Sequence, residues 1–236
     1  MEEKVQGIVL GGVNYGENDK ILSLLTPDKG AISARIKGVK KAGAKLKFAS
    51  EPFCFAEYIL LKNGDKRTVK SATLIDSFYP VREDIIKFYS ACAVLDFAKH
   101  MFKVEVDSAK AFIETANTLS QIAYGSEGAK QSLLKYLLKG ISLSGYGINL
   151  NGCIKCGKID LQKPYFDGGS GGFLCEDCFD SEGREISSVT LNALRLANDD
   201  KELSLEQADF GLRLINYYLS FVTEERFSSL KELIKL

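Results

Sequence analysis

The sequence predicts an α+β protein of more than one domain. An N-terminal five-stranded OB-fold β-barrel is expected over residues 1–80, then a mainly helical domain over 81–236, with a four-cysteine zinc-finger hairpin inserted at about 148–182. Three observations carry this. Short β-prone segments separated by Gly, Pro and Asn turns fill the first 80 residues. Apolar spacing changes to a helical period after Pro80. Two Cys-x-x-Cys pairs, Cys153/Cys156 and Cys175/Cys178, stand 18 residues apart.

The first strand, Lys4 to Val13, is apolar but interrupted by Gly7, Gly11 and Gly12, which marks a bent or bulged strand. Ile21 to Leu25 is a buried strand candidate. In Thr26-Pro27-Asp28-Lys29-Gly30, proline presets a turn and glycine is free to take positive φ. Ala31 to Ile36 resumes as strand, and Phe53 to Leu61 is aromatic and β-prone. Asn63-Gly64 is a strong hairpin signal, and Thr68 to Phe78 returns. Five strands in so short a span fit a small closed barrel of the OB type.

Four apolar stripes follow at helical spacing, and all four read as helical core. The first is Ile85, Phe88, Tyr89, Cys92, Leu95 and Phe102, the second Phe112, Ala116, Leu119 and Ala123. The third, Leu133, Leu134, Leu137, Leu138 and Ile141, stops near Gly145 and Gly147. The fourth opens on a capping box, Ser204-Leu205-Glu206-Gln207, and continues through Ala208, Leu212, Ile215, Leu219 and Val222.

A Cys-x-x-Cys turn points two thiolates at one centre, and two such turns complete a tetrahedron of sulfurs. Cys153, Cys156, Cys175 and Cys178 therefore suit one closed, structural zinc ion with no position open to water or substrate. Two disulfides or an iron–sulfur cluster are the competing uses. The first needs an oxidising compartment, and the second usually has other spacings. Asp167-Gly-Gly-Ser-Gly-Gly172, between the pairs, is where the hairpin turns. Cys54 and Cys92 sit among apolar residues and read as core.

A hydrophobic fraction of 45% is that of an ordinary globular chain. No apolar run approaches the ~18 residues of a membrane span, and the polar start Met1-Glu2-Glu3-Lys4 is not a secretory signal. The expectation is a cytoplasmic, nucleoid-associated protein with no membrane partner. Net charge is zero but uneven. Residues 1–80 hold 13 Lys/Arg against 9 Asp/Glu, net +4, which points to a polyanion partner for that part.

Residues 31–50 contain no acid and carry Arg35, Lys37, Lys40, Lys41, Lys45 and Lys47, threaded with Gly38 and Gly43. On a barrel that binds single strands across one face and its bordering loops, such a run suits a phosphate backbone. The alternative is a solvated loop. Phe48, Phe53 and Phe55 are candidates for base stacking or for core. The same loop is no P-loop, because Gly38 to Lys45 has an extra residue before the lysine and Leu46 stands where a hydroxyl belongs. The one histidine, His100, lacks the partners of a nucleophilic triad and reads as structural or exposed. Carboxylate clusters suited to a two-metal site are not evident, so no enzyme is expected.

Several segments together carry a resemblance: Gly7-Ile-Val-Leu10, Tyr15-Gly-Glu-Asn-Asp-Lys-Ile-Leu22, Leu25-Thr-Pro-Asp-Lys-Gly30 and Ile36-Lys-Gly-Val-Lys-Lys41 in the first part. Leu143-Ser-Gly-Tyr-Gly-Ile-Asn-Leu150, Cys153-Ile-Lys-Cys-Gly157, Tyr165-Phe166 and Gly171-Gly-Phe-Leu-Cys175 with Cys178 follow. In this order they resemble the bacterial RecO family of DNA-repair and recombination proteins, over most of the chain. The resemblance implies an OB-fold, a helical domain and a zinc-finger loop. It implies binding of single- and double-stranded DNA and annealing of complementary strands. It implies help to RecA in replacing single-strand-binding protein, with RecR and the acidic C-terminal tail of single-strand-binding protein as partners and RecF as a further one. A zinc-containing transcription or RNA-binding factor shares the barrel and the cysteines and is the alternative.

Overall fold

The computed structural model of the chain describes residues 1–102, 106–179 and 183–236. Five strands open it: β1 (Glu2–Tyr15), β2 (Asp19–Thr26), β3 (Gly30–Ile36), β4 (Phe55–Asn63) and β5 (Lys66–Asp76). They close into a barrel in the order β1-β2-β3-β5-β4, the five-stranded OB-type barrel that the sequence predicts. All neighbours are antiparallel except β3 and β5, which meet in parallel at Arg35 and Thr68. The register of β1 against β2 shifts between Val9 and Gly11, so the glycine-rich stretch is a bulge. The fourth strand starts at Phe55 rather than Phe53. Phe53 takes φ 70° and turns its ring into the core, which ends extended pairing there.

The barrel interior is a closed cluster that includes Val5, Val9, Leu22, Leu24, Tyr58 and Leu60. Tyr58 is fully buried, and its hydroxyl is satisfied by donating to the Ala49 carbonyl at 3.0 Å.

A short 3-10 turn, Tyr79–Arg82, leads into α1 (Ile85–Met101), α2 (Ser108–Tyr124) and α3 (Ala129–Leu143). After the cysteine segment come α4 (Ser188–Asn198), α5 (Leu205–Val222) and α6 (Ser228–Leu233). Asp84, Asp107, Ser187 and Ser204 cap α1, α2, α4 and α5, each accepting a backbone N–H of the first turn. The Ser204/Gln207 capping box forms in both directions.

Helix α1 departs from the single stripe expected of it. Ile85 is 57% exposed, and the buried residues, among them Ala91, Val94, Leu95, Phe97 and Ala98, lie around most of the helix. It packs against α2, α3, α6 and β1 at once, so no one face is apolar. Cys54 is buried as core, whereas Cys92 is half-buried and packs against the core's edge. Among the described residues no helix is long and apolar enough to cross a membrane.

Between α3 and α4 lies a four-stranded sheet of β6 (Asn149–Cys153), β7 (Tyr165–Asp167), β8 (Gly172–Leu174) and β9 (Arg184–Glu185), in the order β6-β8-β7-β9. The expected end of this insertion, residue 182, lies outside the described residues; the sheet itself reaches Glu185. One core runs through the rest of the chain. It begins on the outside of the barrel at Ile8, Leu10, Leu25, Phe53 and Phe78, crosses the helices, and ends in the cysteine sheet at Phe166 and Phe173.

One of the tight points of this core is the crossing of α1 and α3. A Cβ on Gly140 would stand 2.4 Å from the Phe97 ring. Phe97 cannot yield, because its ring is held among Phe102, Tyr136 and Phe227. Gly140→Ala should therefore destabilise the fold by about 1–2 kcal/mol. The overpacking term is about 1–3 kcal/mol and outweighs the roughly 0.5–1 kcal/mol that alanine adds to a helix. Urea unfolding with an unchanged slope would measure it; a variant as stable as the parent would contradict this packing.

Candidate metal centre and nucleic-acid interface

Each cysteine pair stands on a tight turn leaving a strand. Cys153 ends β6, and the chain folds back so that the Gly157 N–H donates to the Cys153 carbonyl and the Cys153 N–H to the Lys158 carbonyl, both at 2.8 Å. Gly157 makes this turn at φ 77°, where a side chain would be strained. Cys175 follows β8 and opens the 3-10 turn Glu176–Cys178, in which the Cys178 N–H donates to the Cys175 carbonyl at 3.1 Å. Parallel pairing of β6 and β8 at Cys153 and Phe173, with the Ile154 N–H on the Phe173 carbonyl at 2.8 Å, sets the two turns face to face. The four Sγ atoms then lie within 4.8 Å of one another, with those of Cys156 and Cys175 3.6 Å apart.

A tetrahedral ion with metal–sulfur bonds of about 2.3 Å has sulfur–sulfur edges of about 3.8 Å. The cluster therefore has the size of a site for one metal ion. It is too wide for disulfides, whose sulfurs stand about 2.05 Å apart, and all four cysteines are free. It is too narrow for a polynuclear iron–sulfur cluster, whose bridging sulfides hold the cysteines further apart. Burial raises the Cys153 thiol, but the N–H groups of Cys156, Cys175 and Lys155 outweigh it and bring it down to about 6. Cys178 moves the other way, pushed up to about 12 by its sulfur neighbours Cys156 and Cys175. Thiolates this close repel one another, and a cation at their centre removes the repulsion. A tetrahedral ion held by all four sulfurs would have no position open to water or substrate.

The lobe is docked on the helices rather than hung from them. Arg195 of α4 donates to the Leu150 carbonyl at 2.9 Å. Phe166 packs edge-on against Tyr218 of α5, whose hydroxyl donates to the Tyr146 carbonyl at 2.9 Å. The hairpin between β7 and β8 passes so close to α5 that a Cβ on Gly168 would lie 2.6 Å from the Phe221 ring. His100 does similar structural work: it pairs with Glu225 at 3.1 Å and meets the Phe227 ring edge-on.

The barrel's cations divide into two sets. Lys4 pairs with Glu57 at 2.9 Å, Lys20 with Glu51 at 3.7 Å, Lys29 with Glu3 and Lys70 with Glu2. Lys37, Lys40, Lys41, Lys45 and Lys47 are exposed in the connection from β3 to β4, and none makes an ion pair among the described residues. Lys62, Lys66 and Arg67, around the β4–β5 hairpin, are equally unpaired and were not singled out from the sequence. The adjacent Asp65 hides them from a search for acid-free runs. Their crowding is felt nearby: burial first, then the charges of Arg67 and Lys62, hold the Lys29 amine below its usual value.

Arg35 lies on β3, within the strand expected over Ala31 to Ile36, and it is not a free cation: Asp19 of β2 takes its guanidinium with Nε at 2.8 Å and a terminal nitrogen at 2.5 Å. The other oxygen of Asp19 accepts the Gly38 N–H at 2.8 Å, and the Lys40 N–H donates to the Asn18 carbonyl at 3.1 Å. The Gly38 hydrogen bond first, and Arg35 after it, hold the Asp19 carboxyl below the usual range. Arg35 and Asp19 thus fasten the basic loop to the β1–β2 hairpin. Of the three candidate stacking phenylalanines, Phe53 is core, Phe55 packs edge-on against Phe112, and Phe48 remains 37% exposed.

Two clefts open on this surface. One, of about 460 Å³, lies between the β1–β2 hairpin and Lys37, Gly38 and Lys41. The other, of about 300 Å³, runs across Ile21, Ser33 and Arg35 to Lys66 and Arg67. Both lie over β2 and β3 and between their bordering hairpins, where an OB-fold takes oligonucleotides.

Residues 1–78 match the family described as recombination protein O N terminal, and residues 82–231 the one described as recombination protein O C terminal. Among curated relatives, a DNA repair protein RecO of Acetivibrio thermocellus is 29% identical over 76% of this chain and 71% of its own length. One of Exiguobacterium sp. is 30% identical over 74% of this chain and 70% of its own. One of Alkaliphilus metalliredigens is 25% identical over 92% of this chain and 87% of its own.

Purified protein should carry one metal ion per chain by elemental analysis. Cys175→Ser should abolish it and lower the thermal midpoint, because the serine hydroxyl is buried where a thiolate ligand stood. Metal should also be lost on acidification. A depressed thiol such as Cys153 stabilises the fold fully above its unfolded value near 9 and loses that contribution as pH falls through about 6. Full metal content retained in the serine variant would show that the cysteines do not hold it.

Proposed function

The chain belongs to the recombination protein O family of DNA-repair proteins, and on that premise we propose that it is a non-enzymatic DNA-binding mediator of recombination. It binds single- and double-stranded DNA in the cytoplasm, beside the nucleoid. It anneals complementary strands and, with RecR, helps RecA onto DNA coated by single-strand-binding protein. Its metal is one structural zinc ion held by Cys153, Cys156, Cys175 and Cys178, since four thiolates at tetrahedral spacing are a donor set that zinc favours. Bound there, zinc would tie the two cysteine turns together and fix the lobe on α4 and α5.

The observation that supports this reading most is the sorting of the barrel's charges. Lys4, Lys20, Lys29 and Lys70 are neutralised by carboxylates, while Lys37, Lys41, Lys66 and Arg67, which line the two clefts, and Lys40, Lys45, Lys47 and Lys62, near them in sequence, make no ion pair among the described residues. An unpaired cation loses no partner when a phosphate arrives, so these residues bind a polyanion at the least electrostatic penalty. Annealing needs no hydrolysis: neutralising two strands lowers their repulsion, and base pairing supplies the free energy.

The acidic tail of single-strand-binding protein needs a basic and partly apolar cleft. One cleft with two arginines against one carboxylate, of about 240 Å³, lies between Arg184 and Glu185 of the cysteine lobe, Arg213 of α5 and the apolar side chains of Ile186, Phe210 and Leu214. We place the tail there.

Lys40→Glu with Lys41→Glu should weaken single-strand binding for every sequence alike. Removing two phosphate contacts at about 0.7 each should lower the magnitude of the salt slope by about 1.4. ATP-independent annealing of matched DNA strands should fall in parallel, with metal content unchanged. Wild-type affinity and slope in this variant would remove the loop from the mechanism. Preferential annealing of RNA would favour an RNA-binding role instead.

A further inference from the structure

Tyr15 is the last residue of β1, opposite Asp19 across the β1–β2 hairpin, and is 48% exposed. Solvation alone does not account for its surroundings. The Arg35 guanidinium lies over its ring, 4.8 Å from the centroid. Arg35 is in turn fixed by Asp19 through two hydrogen bonds, independently of Tyr15. The ring therefore rests on a cation that is itself immobilised, and it keeps a large open surface. It also borders both clefts of this face. Lys37 and Lys41 line one cleft together with Glu17 and the Arg35-bound Asp19, and Lys66 and Arg67 line the other together with Asp65. Within the second, the Arg67 Nε is shielded from solvent and has no hydrogen-bond partner. Both clefts fall in the size range of ligand sites, about 300–1,000 Å³.

An open aromatic face between two cation-lined clefts has the layout of one nucleotide step, with a base on the ring and a phosphate to either side. We propose that Tyr15 is the platform on which one unpaired base stacks, and that through it the barrel discriminates single-stranded from double-stranded nucleic acid. The inference rests on the DNA-binding reading above and names the part of that site that reads strandedness. Stacking on an aromatic ring is indifferent to sequence, because every base has a π-face. It is not indifferent to pairing. A base inside a duplex is already stacked, and must be unpaired before it can reach Tyr15. The free lysines cannot make this distinction, since both forms of DNA offer them phosphates. Arg35 is then a positioning residue: it holds the ring's angle and polarises it from beneath.

The test compares Tyr15→Ala, Tyr15→Leu and Tyr15→Phe in the full chain. The probes are a fluorescent oligothymidine and a duplex of the same length, titrated across salt. Loss of the ring should weaken oligothymidine binding by roughly 10- to 100-fold. Duplex affinity should stay within about twofold, and the salt slope should not move, since no phosphate contact is removed. Leucine keeps apolar bulk without a π-face and should behave as alanine does. Phenylalanine should behave as wild type. Quenching of 2-aminopurine placed in the single strand should be lost with alanine and leucine and kept with phenylalanine. If alanine destabilises the hairpin, the leucine and phenylalanine pair decides alone. Alanine and leucine variants that bind single strands like wild type overturn the platform while leaving the DNA-binding reading intact. So does an equal loss for single strand and duplex with a reduced salt slope. A wild-type chain that binds neither probe overturns both.

Discussion

Strand β1 is buried on both faces between Gly7 and Leu10, and three parts of the molecule are registered through it. Val5 and Val9 point into the barrel and belong to its interior, while Ile8 and Leu10 belong to the core shared with the helices. Because successive side chains alternate, a slip by one residue would exchange the two sets and leave neither core filled. The register shift between Val9 and Gly11 ends the doubly buried stretch. Beyond it β1 runs out to Tyr15, still paired with β2, so the hairpin that borders the basic clefts is an extension of the best-anchored strand in the chain. Rigidity at the clefts is thus borrowed from packing several residues away.

Pairing, not composition, decides which of the barrel's charges are available. The chain has no net charge, and the barrel's excess is small. Yet carboxylates are placed so that Glu2, Glu3, Glu51 and Glu57 each take a lysine outside the basic run, Lys70, Lys29, Lys20 and Lys4 in turn. Exposed pairs of this kind add little stability. Their effect is electrostatic: they flatten the field elsewhere on the barrel and leave the two bordering loops as its positive part. Asp19 works differently. Placed among the basic residues, it does not cancel the loop but converts Arg35 from a mobile cation into a fixed support and ties down Gly38 in the same step.

These particulars mark how far the sequence could be read. The cysteine pairs, the hairpin signalled by Asn63-Gly64, whose turn residues are Gly64 and Asp65, and the Ser204/Gln207 capping box were legible because each is a local pattern whose geometry follows from a few neighbouring residues. Helix α1 was misread because a helix surrounded by others has no single apolar face to show a period. Helices α4 and α6 passed unread because they are short, with six residues in α6. The fate of Arg35 was hidden for another reason. Its partner lies sixteen positions earlier on another strand, and whether a cation is free or paired is a property of the fold. Lys66 and Arg67 became visible only once barrel closure brought β5 beside β3.

The packing order also separates what the cysteine lobe supports from what the barrel supports. The barrel rests on α1 and α2; α3 contacts both of these and also α4 and α5; the cysteine sheet rests on α4 and α5. The barrel interior is a cluster of its own, whereas Cys153 and Cys175 belong to the core that runs through the helices. Loosening the cysteine lobe therefore acts first on α4, α5 and the cleft that contains Arg184 and Arg213. It reaches the barrel through α3 or α6 and then α1 or α2, and it does not touch the residues that fill the barrel itself. On this arrangement the barrel and the cysteine lobe belong to one continuous body. Each draws its local order from a different source: hydrophobic closure of a β-barrel in the first, and packing of the β6–β9 sheet on α4 and α5 in the second.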